Sequence, residues 1–144
     1  MATGALIAIT VKEPALVLPL AFLSHLLLDS IPHFGYNGSG LEDFFRRPIV
    51  KYIIFFDIIG VAIILVTLEP SWLVYSAMLL AVSPDFIWYI RYYFFEKRGI
   101  FKTGERMDLF SKIHAKVQWF ERPIGFFVEI TLSIVLLIVL YNLS

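Results

Sequence analysis

The chain contains no cysteine. That removes disulfides, thiolate metal sites and cysteine nucleophiles, and leaves His, Asp, Glu and water as the available metal ligands. A basic start is also missing: Met1 to Thr10 is apolar but lacks the positive opening of a secretory signal, so the N-terminal segment is expected to be retained. There is no low-complexity tract, no convincing internal repeat and no serine in a nucleophile constellation. Long polar stretches are scarce. The one at 96–122 alternates in charge sign beside apolar runs, which argues against nucleic-acid binding. What the chain does have is apolar surface: 59% of its 144 residues are hydrophobic, and 12 Lys and Arg balance 12 Asp and Glu. That content exceeds the usual share in a soluble domain and points to a single membrane domain.

The apolar runs predict an all-α integral membrane bundle of about four transmembrane helices. Residues 2–11 make a helix of roughly 15 Å, too short to span, and read as re-entrant or interfacial. Pro14 suits the first turn of a helix over 15–31, which Pro32 and the glycine-rich 35–40 loop end. A second span covers 49–68 and closes at Glu69-Pro70-Ser71. A third covers 72–95, with a kink where Pro84 removes a backbone donor between Ser83 and Asp85. Residues 105–121 have the spacing of an amphipathic helix at the membrane surface, and 124–141 form the last span. Lys12 apart, every Lys and Arg lies in or beside 34–48 and 96–122, so these loops are expected in the cytoplasm of a multi-pass cell-membrane protein. Tyr89, Tyr92, Tyr93, Phe94, Phe95 and Trp119 fit an interfacial aromatic belt.

Polar residues inside these runs carry the functional signal. Counted from the cytoplasmic helix ends, His25, Asp57 and Asp85 all lie roughly 12 to 14 Å deep, so they can meet. Asp29 follows His25 by one helical turn and shares its face, and Glu129 in the last span has a compatible depth. A charge at the bilayer centre costs at least about 2.5 to 3.5 kcal/mol, so these groups need one another, water or a cation. Carboxylates and imidazole suit Zn, Mn or Fe, and His25, Asp29, Asp57 and Asp85 are the expected ligands of a divalent metal. Glu129 or His114 is the candidate general base. His33 beside a loop reads as a surface or capping residue.

The stretch Ser24-His25-Leu26-Leu27-Leu28-Asp29, together with Ser83-Pro84-Asp85, resembles the S-H-x-x-x-D and P-D elements of the small membrane-bound, metal-dependent hydrolases called YdjM-like. The resemblance rests on these short motifs. It implies an inner-membrane helical protein in which His25, Asp29 and Asp85 hold a divalent metal, with hydrolysis as the activity. The expectation is therefore a hydrolase open to the cytoplasmic leaflet, acting on a lipid-linked phosphate or ester, with Arg46, Arg47 or Arg122 available to hold a phosphate. Two other readings stay open. One is an oligomeric proton or cation transporter using the same His and Asp cluster, and the other is a noncatalytic scaffold with a polar core.

Overall fold

The structure, a computed structural model, describes residues 1–34, 47–68, 71–100 and 109–143. Every element among them is helical: α1 (Ala2–Val11), α2 (Pro14–Asp29), α3 (Pro48–Thr67), α4 (Trp72–Leu80), α5 (Ser83–Arg91), α6 (Leu109–Val117) and α7 (Gly125–Leu143). A π-helical turn, Tyr92–Glu96, continues α5, and a 3-10 turn, Gln118–Phe120, continues α6. The glycine-rich loop at 35–40, Arg46, the Glu69-Pro70 turn and the expected start of the amphipathic helix at 105 lie outside the described residues. So do the side chains of Tyr89, Tyr92 and Trp119, while Tyr93, Phe94 and Phe95 are exposed.

Local chemistry sets the helix boundaries. Pro14 and Pro48 each open a helix at its first turn, where a missing N–H costs no hydrogen bond. α1 stops at Lys12, which takes a left-handed φ of 61° while its N–H returns to the Ala8 carbonyl. Glu13 is extended, and α2 folds back against α1. The span expected over 72–95 is two helices. Pro84 has no N–H for the Leu80 carbonyl, and Ser83 Oγ donates to that carbonyl instead, at 2.9 Å.

Among the described residues two helices, α3 and α7, are long and apolar enough to cross a membrane, rather than the expected four. Only 11% and 6% of their most apolar windows are buried inside the protein, which separates them from core helices of a water-soluble fold. Their outward faces carry Phe55, Ile58, Val66, Phe127 and Ile138. α1 and α2 are also apolar but shorter.

α1 is packed among α2, α4 and α7, and α3 lies against α7. The core joins Ala5 and Ala8 of α1, Val17 and Ala21 of α2, Val74, Ala77 and Met78 of α4, and Leu140 of α7. Small residues let these backbones approach closely. At Gly4 the approach is so tight that an added Cβ would run into the Ala77 carbonyl. This packing fixes α2 against the break between α4 and α5, where the polar residues gather.

Candidate metal centre

His25 and Asp29 sit one turn apart on α2, both buried. Asp85 lies in the first turn of α5, and His114 comes from α6, the amphipathic helix, whose expected surface position is only half the story because His114 is turned fully inward. One ligand atom from each of these four side chains lies within 4.8 Å of all the others, so together they can hold a metal ion. His25 Nε2 is 3.2 Å from Asp29 Oδ2 and 3.3 Å from Asp85 Oδ1, and His114 Nε2 donates to Asp29 Oδ2 at 2.7 Å. Ligands at the corners of a tetrahedron with bonds of 2.0 to 2.1 Å are about 3.3 Å apart. The two contacts of His25 already have that spacing. The His114 contact is a hydrogen bond, and its proton would leave when a cation replaces it.

The surroundings prepare His25 for this role. Its Nδ1–H donates to the Ala81 carbonyl at 2.9 Å. Ala81 caps the C-terminus of α4, where the last carbonyls have no partner in the helix. The break before Pro84 thus supplies the acceptor that orients the imidazole and turns Nε2 toward the two carboxylates. Nε2 is buried and makes no hydrogen bond. Two contacts beyond the ligands support the others: Gln118 Nε2 donates to Asp29 Oδ2 at 3.3 Å, and the rings of His25 and His114 meet edge to face at 5.4 Å.

The cluster has a closed and an open end. The His114 side chain is 1% exposed and that of Asp85 is 44% exposed. Beside the cluster lies a cavity of about 230 Å³, whose lining includes His25, Asp29 and Asp85 of the cluster, the polar His33, Glu129 and Ser133, and the apolar Leu28, Val82, Leu132 and Leu136. Glu129 faces this space from α7, where its Oε1 accepts the Phe34 N–H at 2.8 Å.

Of the residues expected as ligands, His25, Asp29 and Asp85 come together, and His114, expected as a candidate general base, joins them in a group that could hold a metal ion. Asp57 on α3 is exposed and outside the four-residue group, although near enough to Asp85 for the charges to interact. Glu129 lines the adjoining cavity. Sequence reasoning missed Gln118 and the cavity position of His33. Gln118 follows His114 by four residues, the spacing that puts two side chains on one helix face, and that was the available signal. Comparisons with family models, with curated proteins and with solved structures find no match for this chain, so the site stands on its own geometry.

Proposed function

We propose that the chain is a multi-pass membrane protein and a metal-dependent hydrolase, with a divalent cation held by His25, Asp29, Asp85 and His114 beside the cytoplasmic leaflet. The observation that carries this reading is the convergence of four ligand atoms from three helices around an imidazole nitrogen that has no hydrogen bond. Zn, Mn and Fe all accept such a mixed imidazole and carboxylate set. A bound cation would lower the pKa of a coordinated water and polarise the scissile group.

The protein's own residues then divide the work. Ala81 and Gln118 orient His25 and Asp29. Glu129, held by the Phe34 N–H across the cavity, is placed to take a proton from a water as general base. The apolar lining of Leu28, Leu132 and Leu136 suits the hydrocarbon end of a lipid-linked phosphate or ester. Four crossings follow if α2 and the α4–α5 pair span as broken helices beside α3 and α7, since interrupted helices are tolerated where they line a polar cavity.

Purification in detergent without chelator, followed by elemental mass spectrometry, tests the centre. Near-stoichiometric metal is expected in the wild type, with loss in both His25→Ala and Asp85→Asn. Metal in the wild type together with turnover of a lipid phosphate or ester, lost in Glu129→Gln, completes the case. A metal-free wild type after reconstitution with Zn, Mn and Fe would overturn it. A transport reading has one observation in its favour. Contacts of 2.7, 3.2 and 3.3 Å connect His114 to Asp29, Asp29 to His25 and His25 to Asp85, a continuous set of titratable groups of the kind a proton relay uses. Proton flux into liposomes, abolished by Asp29→Asn, would favour that reading over hydrolysis.

A further inference from the structure

We propose that His33 and Glu121 form a clasp that closes the ligand shell, acting as positioning residues that hold α6 where His114 reaches Asp29. The proposal rests on the metal-centre reading above.

His114 is the ligand that most needs such a device. His25 and Asp29 share α2, and Asp85 opens α5, which packs on α2. α6 has only nine residues, too few to be stable by itself, so contacts elsewhere must hold it. Those contacts gather just beyond it. His33 and Glu121 pair their backbones in an isolated parallel bridge, and the Arg122 N–H donates to the His33 carbonyl at 3.0 Å. The Phe34 N–H reaches Glu129, and Phe34 meets Phe126 edge to face. Gly125 lies so close to the His33 backbone that a Cβ there would overlap the His33 carbonyl. His33 follows ligand Asp29 by four residues, and Glu121 follows ligand His114 by seven. Joining His33 to Glu121 therefore closes a short circuit that contains both ligands.

The side chains reinforce the backbone contact. His33 Nδ1–H donates to the Ile31 carbonyl at 3.0 Å, which pins the ring. Its Nε2 is buried without a hydrogen bond and faces Glu121 Oε1 at 3.9 Å. Both neighbours are acceptors, so both ring nitrogens need hydrogens, and the ring pairs with Glu121 as an imidazolium. The charge attraction spans exactly the gap between the α2 end and the α6 exit.

Titration with Co²⁺, read by its visible absorption, tests the clasp in the 144-residue chain. Glu121→Gln is expected to bind Co²⁺ about tenfold to a hundredfold more weakly, the usual effect of losing a group that orients a ligand. Its spectrum should match that of His114→Ala, and Glu121→Asp should restore much of the wild-type spectrum. Adding Glu121→Gln to His114→Ala should weaken binding no further, because both changes remove the same ligand. Wild-type affinity and spectrum in both Glu121→Gln and His33→Gln would overturn the clasp while leaving the metal centre intact. A wild type that binds no Co²⁺ overturns both.

Discussion

At the scale of single residues, the centre depends on which hydrogen each imidazole carries and where it goes. His25 spends its Nδ1 hydrogen on Ala81 and so offers Nε2 to the cluster. His33 likewise has an acceptor at each nitrogen, the Ile31 carbonyl at Nδ1 and the Glu121 carboxylate at Nε2. Burial works against charge on His33, but Glu121 and the Ile31 carbonyl outweigh it and hold its pKa above the ordinary value. Asp29 and Glu129 also bear on the ring with favourable charge. A histidine raised in the folded state contributes stability that is fully present below the unfolded value of about 6.5 and is lost as pH rises through the folded value. Melting temperature should therefore fall from pH 6.5 upward by more in the wild type than in His33→Gln or Glu121→Gln. Parallel pH profiles for all three proteins would show that the pair carries no linkage. The sequence made His25, Asp29 and Asp85 legible because their depth along apolar runs can be counted. It hid the role of His114, since depth cannot be counted along a helix that lies outside the spans.

At the scale of elements, apolar runs and amphipathic spacing located the described helices, and Pro84 marked the kink in 72–95, but hydropathy alone did not show that the run divides there or that the earlier one stops short. The helix expected over 15–31 ends at Asp29, and the one expected over 72–95 divides at Pro84. Both interruptions fall at proposed ligand positions, and the second one frees the carbonyl that orients His25. The pattern of hydropathy is blind to this because Ser, Pro and Asp are too few to break the average. α1 shows a second limit. Its ten residues are too short for a span, yet they fill the middle of the bundle because Gly4, Ala5 and Ala8 present almost no side chain. Gly4→Leu should force α1 away from the Ala77 carbonyl and destabilise the fold by about 1 to 3 kcal/mol, the range for overpacking a close contact. Thermal unfolding in detergent checks this. An unchanged midpoint would mean that α1 is not held in the bundle as described.

At the scale of the whole molecule, the proposed membrane reading turns on how many times the chain crosses the bilayer. α3 and α7 alone give two crossings, and adding α2 and the α4–α5 pair gives four. The two arrangements put different residues on each side. With four crossings and the basic loops in the cytoplasm, Gly38 and Arg98 are cytoplasmic, while Lys12, Ser71 and Leu143 are outside. With only α3 and α7 crossing, Gly38 stays inside and Ser71 outside, but Arg98 moves outside and Lys12 and Leu143 move inside. The absence of cysteine makes this directly measurable, since each position can carry the only thiol in the chain. Gly38→Cys and Arg98→Cys are expected to resist an impermeant maleimide applied to intact cells and to react after lysis. Lys12→Cys, Ser71→Cys and Leu143→Cys should react from outside. Labelling of Arg98→Cys from outside, with Lys12→Cys and Leu143→Cys protected, would reduce the protein to two crossings. α2 would then lie on the inner side and α5 and α6 on the outer side, so His25 and Asp29 could not meet Asp85 and His114, and that outcome would overturn the centre as well.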